Sequence, residues 1–228
     1  MVTTTPPVPD TERGRPVLRA AGVVAGSWAV ILAVVLAVGW LLTHALRRLV
    51  LPWDNGLSRW IAGERTGWLD GPADVGTFLG ETVTGVTVAL AAGVVVALWR
   101  RSWRPVAFVV LAEAGIGGFY ALATMLAPRA RPPVKILDAG LVADHSFPSG
   151  HTATAVVAYA GLLLLLRAYS RAWRRALVLL VVPVLVLLAR LYQGAHHLTD
   201  VLTSLAYGSA YLLVVARQVL PASLRRVG

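Results

Sequence analysis

The sequence predicts an all-α, polytopic membrane protein with six transmembrane helices, a class indicated by its composition, its long uncharged segments and the placement of its arginines. Hydrophobic residues occupy 57% of the 228 positions and charged residues only 14%, whereas a soluble domain carries about 25% charged residues. The mean hydropathy is +0.70. Six segments are nearly free of charge, and each approaches the roughly 20 apolar residues that cross a hydrocarbon core.

Each of the six segments is expected to be a helix, because a chain in hydrocarbon must satisfy its own backbone hydrogen bonds. The first is longer than the apolar part of a signal peptide and lacks a small-residue cleavage pattern, so we expect it to remain in the protein. The predicted spans lie near residues 20–46, 80–99, 105–127, 150–166, 176–195 and 198–216.

The domain organisation predicted from this pattern is simple. Residues 1–18, rich in Pro and Thr, are expected to form a disordered cytoplasmic tail. Residues 19–220 form the six-helix membrane domain, and residues 221–228 form a short cytoplasmic tail. Cysteine is absent, so disulfides and thiolate metal sites are excluded.

The orientation follows from the basic residues, which are retained on the cytoplasmic side. We assign the richer side to the cytoplasm, which places both termini inside. That side holds Arg13, Arg15, Arg19, Arg100, Arg101, Arg104, Arg167, Arg171, Arg174, Arg175, Arg217, Arg225 and Arg226. The other side holds Arg47, Arg48, Arg59, Arg65, Arg129, Arg131, Lys135 and Arg190, together with eight acids between Asp54 and Asp200.

The net charge of +10 is explained by this asymmetry, because the surplus faces anionic headgroups. Membrane lipids are therefore the expected partners, and nucleic acid is not. In the first outer loop, Trp53, Leu57, Trp60 and Ile61 have helical spacing. This spacing predicts a short helix that either lies in the membrane interface or packs against the spans.

Polar residues that do not fit a lipid-facing helix form three clusters, all at the predicted outer boundary. Charged groups in or beside spans are costly and usually functional. We therefore expect the clusters to meet in one cavity. They are Arg129, Arg131 and Pro132; Pro148, Ser149, Gly150 and His151; and Arg190, His196 and Asp200.

His196 and Asp200 are four residues apart, so at a helix start they are expected to share a face. A carboxylate that accepts one ring N–H fixes the tautomer and leaves the other nitrogen bare, as a nucleophile or base requires. A purely structural hydrogen-bonded pair is the alternative.

Ser149 stands at the predicted start of the fourth span, where serine is a favoured N-cap. Gly150 lets a ligand approach the backbone, and the N–H groups there suit a phosphate oxygen. Ordinary capping is the alternative for Ser149. Arginine forks match phosphate geometry, and Arg190 interrupts an otherwise apolar run.

Together the clusters resemble the three-part signature of the type 2 phosphatidic acid phosphatase (PAP2) family, whose catalytic core is shared with vanadium haloperoxidases and bacterial acid phosphatases. The second element, PSGH, is complete at residues 148–151. The third, SRxxxxxHxxxD, matches at Arg190, His196 and Asp200, with Ala189 in place of the serine. The first, KxxxxxxRP, matches at Arg131 and Pro132.

The lysine of the first element is replaced by Thr124. This removes a positive charge that the family uses on the phosphate. Arg129 or Lys135 is a candidate replacement, so Arg129 and Thr124 are retained as accessory positions.

The resemblance implies a metal-independent lipid phosphatase that needs no cofactor. His196 would attack phosphorus and form a phosphohistidine, with Asp200 orienting it, and His151 would act as general acid and then general base. Arg131, Arg190, Ser149 and Gly150 would hold the phosphoryl oxygens. The implied substrates are polyprenyl diphosphate, phosphatidic acid or phosphatidylglycerol phosphate, at the outer face of a bacterial plasma membrane.

Three other functions are compatible with parts of the pattern. A zinc hydrolase would use His196 or His197 with Asp200 and His151, and a six-span serine protease would use Ser149 and His196. Neither needs several arginines. A catalytically impaired phospholipid binder or transporter of the same fold is the second choice, because of Thr124. The oligomeric state has no signal in the sequence.

Overall fold

The computed structural model describes residues 10–221, which form eight α-helices. A 3₁₀ helix, Arg171–Leu180, runs directly into the seventh, and the sixth contains a π-helical stretch, Val156–Ala160. The helices are α1 Asp10–Thr43, α2 Arg47–Gly63, α3 Gly67–Gly80, α4 Thr82–Arg100, α5 Arg104–Leu126, α6 Gly150–Tyr169, α7 Val181–Tyr192 and α8 Leu198–Val219.

Six segments are long and apolar enough to span a membrane, which confirms the predicted all-α, six-span class. The bounds differ from the predicted ones by only a few residues, because length and apolar composition set both. They are Val17–Thr43, Thr82–Arg100, Arg104–Leu126, Gly150–Tyr169, Trp173–Tyr192 and Leu198–Val219.

The predicted tails are only partly covered by the structure. Helix α1 begins at Asp10, so residues 10–18 of the expected disordered tail are helical. Residues 1–9, and residues 222–228 of the expected C-terminal tail, lie outside the described residues.

Helix α2 is the short helix expected in the first outer loop, and it packs against the spans. Trp53 and Trp60 are 56% and 64% exposed, as side chains in a membrane interface would be. Ile61 packs against buried residues of α7 and α8. Asp54 and Ser58, on the inner side of α2, are buried. The inner side of this amphipathic helix thus packs on the bundle, and its tryptophans remain exposed.

The core is built from aromatic side chains that meet small residues on neighbouring helices. Phe119 of α5 is fully buried and stacks on Trp28 of α1 at 5.2 Å between ring centroids. The rings of Tyr207 and Tyr211 from α8 meet Phe119 edge-on. Three spans are thereby fixed against one another below the site.

The loop between α5 and α6 folds back on itself. Arg129 N–H donates to the Asp144 carbonyl, and Ser146 N–H donates to the Arg129 carbonyl. The beginning and the end of this loop are therefore adjacent, and the first two signature elements, 124–132 and 148–151, come together. The third element joins them from the turn between α7 and α8.

The basic loops lie at the other end of the bundle. The guanidinium of Arg100, after α4, lies 5.8 Å from the ring centroid of Tyr169, at the end of α6. Tyr169 ends the helix whose first residues, Gly150 and His151, belong to the signature, and Arg100 ends the neighbouring helix α4. The structure thus separates an arginine-rich end from the end that bears the clusters.

Close packing at Gly39 of α1 offers a test of the fold. A Cβ at this position would lie 2.8 Å from Ala127 Cβ and 2.8 Å from Phe147 Cε1. Neither neighbour is a flexible tip, so we expect Gly39→Ala to destabilise the protein by about 1–3 kcal/mol. The measurement is the thermal midpoint in detergent. Gly26→Ala on the same helix, where a Cβ meets nothing within 4 Å, is the control; equal midpoints for the two variants would contradict the packing.

Candidate active site

A cavity of about 220 Å³ lies where α5 ends, α6 begins and α7 turns into α8. Four of the expected site residues line it: Arg131, Gly150, His151 and His196. The remaining lining residues come from α4, α5, α6 and the loop before α6, and are Thr82, Val86, Glu113, Ile116, Gly117, Tyr120, Leu141 and Thr154. The three signature segments therefore meet in one place, as expected.

The ring of His196 is held by the backbone. Its Nδ1 lies 2.6 Å from the carbonyl oxygen of Ser146, and its side chain is almost wholly buried. A carbonyl oxygen can only accept, so Nδ1 carries the proton and Nε2 carries the lone pair. The ring is thus preset as a nucleophile or base at Nε2.

The surroundings keep His196 neutral. Burial, followed by the positive charges of Arg190 and Arg131, lowers the pKa of this imidazole to about 3, although Asp200 opposes the shift. The usual histidine pKa is about 6.5. Protonation, which would remove the lone pair, is therefore suppressed at neutral pH.

The expected pairing of Asp200 with the His196 ring is wrong. His197 is the N-cap of α8, so His196 precedes the helix and does not share a helical face with Asp200. Asp200 Oδ2 instead accepts from Ser146 Oγ at 2.6 Å and from the His197 backbone N–H at 2.9 Å. The Asp200 carboxylate thus joins the loop before α6, at Ser146, to the turn before α8, at His197. The Ser146 carbonyl, and not Asp200, orients the His196 ring.

Arg190 is fully buried and only partly paired. Its Nη1 donates to Asp138 Oδ2 at 2.8 Å and to Gln193 Oε1 at 2.9 Å, and lies 3.2 Å from Thr77 Oγ1. Its Nε and Nη2 have no hydrogen-bond partner among the described residues. A buried guanidinium with two unpaired donor nitrogens is suited to bind an anion.

Arg131 is fixed in the cavity wall by carbonyl oxygens. Nε donates to Val142 at 2.8 Å and Nη1 to Ala195 at 2.5 Å. Burial and the charge of Arg190 lower the pKa of this guanidinium, although nearby acids oppose the shift. Two cations near enough for one to lower the other's pKa favour a nearby anion.

Neither accessory position reaches the cavity wall. Arg129 Nη2 donates to Asp54 at 2.9 Å, and its Nη1 contacts Asp200. Two carboxylates thus engage Arg129, which does not replace the missing lysine. The Thr124 hydroxyl bonds to the carbonyl oxygens of Tyr120 and Ala121 within α5, and its side chain is buried.

The residues of the PSGH segment have different positions: Ser149 caps α6, whereas Gly150 and His151 line the cavity. Ser149 is the N-cap of α6, and its Oγ accepts from the Thr152 hydroxyl at 3.0 Å and from the Thr152 N–H at 3.4 Å. This geometry matches the capping alternative. Gly150 lines the cavity, and a Cβ there would lie 3.2 Å from Tyr120 Cδ2. His151 follows on the cavity wall.

Sequence reasoning missed several cavity residues on apolar helices. Tyr120, Thr82 and Thr154 carry no pattern that separates them from ordinary packing residues. Among these missed residues, only Glu113 stands out in the sequence, because it is the lone acid of the third span. Its Oε1 is buried without a partner among the described residues, and the side chain lines the cavity.

The ligands considered for a zinc hydrolase do not converge. Within residues 10–221, no group of three or more His, Asp or Glu side chains is placed to hold a metal ion. The His197 ring turns away to Asn55, whose Oδ1 lies 2.9 Å from Nε2. His196 and His151 share a cavity whose other charged polar groups include Arg131, which would repel a cation.

Comparison with known families agrees with this geometry. The model of the PAP2 superfamily matches residues 103–223, more than half of the chain and all of the signature. This chain belongs to the PAP2 superfamily. Membership confirms the resemblance read from the three motifs and the enzyme class that it implies, a phosphatase.

A solved PAP2 protein shares the fold. The chain is similar to the structure titled as the first transmembrane PAP2 type phosphatidylglycerolphosphate phosphatase from Bacillus subtilis, with a TM-score of 0.70 and 23% identity. The match covers 83% of this chain and 92% of that one. Among curated proteins, none matches this chain in sequence.

The tautomer of His196 can be measured directly. Because its pKa lies near 3, we expect its ring to remain neutral and protonated at Nδ1 from pH 8 to pH 5. A histidine in an unfolded peptide, with a pKa of about 6.5, gains its proton within this range. The measurement is ¹⁵N NMR of histidine-labelled protein, with the His196 signals assigned by their loss in His196→Gln. A titration midpoint between pH 5 and pH 8 would contradict the described environment.

Proposed function

We propose that this PAP2 protein hydrolyses a phosphate ester or diphosphate of a membrane lipid through a phosphohistidine on His196, without a metal ion or cofactor. One observation carries the proposal: His196, whose Nδ1 is engaged by the Ser146 carbonyl and whose Nε2 keeps the lone pair, lines the same cavity as His151, Arg131 and Gly150. A nucleophile, a second imidazole and a cation thus surround one space. The unpaired donor nitrogens of Arg190 are available to bind phosphoryl oxygens.

In the first step, the Nε2 lone pair of His196 forms a bond to phosphorus while the bond from phosphorus to the leaving oxygen breaks. His151 gives its proton to that oxygen, so the alcohol or lipid phosphate departs without building up full negative charge. Arg131 and Arg190 balance the negative charge on the phosphoryl oxygens. His196 already holds its other proton on Nδ1, so the Ser146 carbonyl stabilises the cationic ring that forms.

In the second step, neutral His151 takes a proton from water as the water oxygen attacks phosphorus. The bond between phosphorus and Nε2 breaks, and its electrons return to His196. Inorganic phosphate leaves and His151 is protonated for the next cycle. Separate imidazoles for attack and proton transfer explain why the site needs both histidines.

The substrate class follows from the two kinds of wall in the cavity. The lining includes imidazoles and a guanidinium, together with the apolar side chains of Val86, Ile116 and Leu141. A phosphate attached to an apolar chain fits both, whereas a small soluble phosphate would use only the first. The similar Bacillus subtilis structure is titled as a phosphatidylglycerolphosphate phosphatase, which places that lipid first in the panel to be tested, beside phosphatidic acid and polyprenyl diphosphate.

We also infer that the cavity opens to the extracytoplasmic side of a bacterial plasma membrane, with both termini in the cytoplasm. The arginine-rich loops lie at the end of the bundle away from the cavity, and such loops are retained inside. Six spans return the chain to the side where it started.

Substitution of either histidine tests the chemistry. We expect His196→Ala to reduce phosphate release at least about 10³-fold, because it removes the proposed nucleophile, and His151→Ala to reduce it about 10²–10⁴-fold. The assay is phosphate release by purified protein from the three lipids, with and without EDTA. His44→Ala, an exposed ring stacked on Trp40, is the control. Full activity in His196→Ala would reject the mechanism, and loss of wild-type activity in EDTA would reject metal independence.

Sidedness can be tested by labelling, because the chain has no native cysteine. We expect a membrane-impermeant maleimide on intact cells to label Ala139→Cys, in the exposed loop beside the cavity, and not Arg101→Cys, in the basic loop between α4 and α5. In permeabilised cells, we expect the maleimide to label both introduced cysteines. The reverse pattern would place the cavity on the cytoplasmic side.

A further inference from the structure

We propose that Asp54, on the interfacial helix α2, is a positioning residue that fixes the catalytic histidine through a buried cluster of Asp54, Arg129, Asp200 and Thr199. This inference rests on the proposed phosphatase function. Asp54 lies outside residues 103–223, which match the family, and outside all three signature motifs. Only the folded structure brings it to the site.

Asp54 is fully buried and anchors two groups from other segments. Its Oδ2 accepts from Arg129 Nη2 at 2.9 Å and from Thr199 Oγ1 at 2.5 Å, and its Oδ1 lies 3.5 Å from the Thr199 N–H. A buried carboxylate is costly unless it is paired and hydrogen-bonded. Asp54 meets that requirement with the loop before α6 and with the first turn of α8.

Arg129 carries the connection to the second carboxylate. Its Nη1 contacts Asp200 Oδ1 and donates to Thr199 Oγ1 at 2.6 Å. Since Thr199 has one hydroxyl hydrogen, which points to Asp54, its oxygen is free to accept from Arg129. The guanidinium is therefore clamped between two acids, with its side chain 4% exposed.

Asp200, whose position is fixed by Arg129, in turn fixes the segments that hold His196. Its second oxygen, Oδ2, accepts from Ser146 Oγ and from the His197 N–H. The carbonyl of Ser146 in turn holds His196 Nδ1. Four successive polar contacts thus lead from α2 to the ring that attacks phosphorus, and none of them is exposed to competing water.

A second contact from α2 acts on the same turn. Asn55 Oδ1 lies 2.9 Å from His197 Nε2, and His197 Nδ1 lies 3.3 Å from Asp200 Oδ2. Two adjacent residues of α2 therefore reach the segment that follows His196, Asn55 at His197 and Asp54 at Thr199. Such redundancy is expected of a support for a reacting group, because a displacement of about 1 Å can cost about a hundredfold in rate.

The first experiment removes the charge of Asp54 and keeps its size. We expect Asp54→Asn to lower kcat about tenfold to a hundredfold, with KM and the inhibition constant of orthophosphate within twofold of wild type. The anion site of Arg131 and Arg190 is untouched, so binding persists while the attack is misaligned. Glu64→Gln, an exposed acid just after α2, is the matched control and should behave as wild type.

The rates are measured on a lipid phosphate and on p-nitrophenyl phosphate. A positioning residue affects both substrates, because both need an aligned His196. Wild-type kcat in Asp54→Asn would overturn the inference. So would a loss confined to the lipid, since that result would mean that α2 recognises the lipid and does not support the histidine.

A milder variant covers the case in which Asp54→Asn does not fold. Thr199→Val removes one hydroxyl from the cluster, and Thr203→Val, one turn later, removes a hydroxyl that bonds only to the Thr199 carbonyl of its own helix. We expect a kcat loss of about fivefold or more in Thr199→Val and none in Thr203→Val. Equal rates in the two variants would overturn the inference.

The inference and the proposed function can fail separately. If the wild type releases no phosphate from any substrate, the proposed function fails, and the His196 Nδ1–H resonance then tests the inference without turnover. A shift of that resonance in Thr199→Val but not in Thr203→Val supports the positioning role. An unchanged resonance in both overturns it.

Discussion

The hydrogen bond from His196 Nδ1 to the Ser146 carbonyl is the contact on which the site depends. It decides which ring nitrogen faces the cavity, and it does so with a backbone group that cannot change its protonation state. In a soluble active site, water could compete for this carbonyl. Here the ring and the carbonyl are buried, so the tautomer is set by the fold.

The Ser146 carbonyl can perform this task only because its own segment is fixed. The backbone of Ser146 is bonded to Arg129, and its side chain is bonded to Asp200. The acids and the arginine of this buried network satisfy one another, which leaves the apolar bundle without an uncompensated charge there. Arg190 is different, because its Nε and Nη2 have no hydrogen-bond partner among the described residues. The charges that support His196 are thus paired with one another, whereas Arg190 keeps donor nitrogens that are available to an anion.

Much of this organisation was accessible from the sequence, for identifiable physical reasons. A helix that crosses hydrocarbon must be long and apolar, so the six spans could be predicted to within a few residues. The motifs at Arg131, Gly150, His151 and His196 lie next to span ends that alternate in direction, and this alternation brings them to one end of the bundle. The cavity confirmed that juxtaposition. The family match confirmed the enzyme class.

The partners of the polar side chains were not accessible in the same way. The spacing of His196 and Asp200 predicts a shared helical face, but the helix begins only after His197, and a boundary shift of one or two residues is enough to redirect the carboxylate. Likewise, Arg129 and Arg131 have similar positions in the sequence, yet one is clamped by acids and the other lines the cavity.

The sequence by itself therefore determined the membrane class, the spans and the chemical inventory of the site, because those follow from local composition and spacing. The tertiary structure alone decided which atom orients His196, which arginine is available to an anion, and that Asp54 of α2 belongs to the support of the site. The physical reason is that hydrogen bonds between segments as many as 145 residues apart depend on how the helices pack, and no local pattern in the chain encodes that packing.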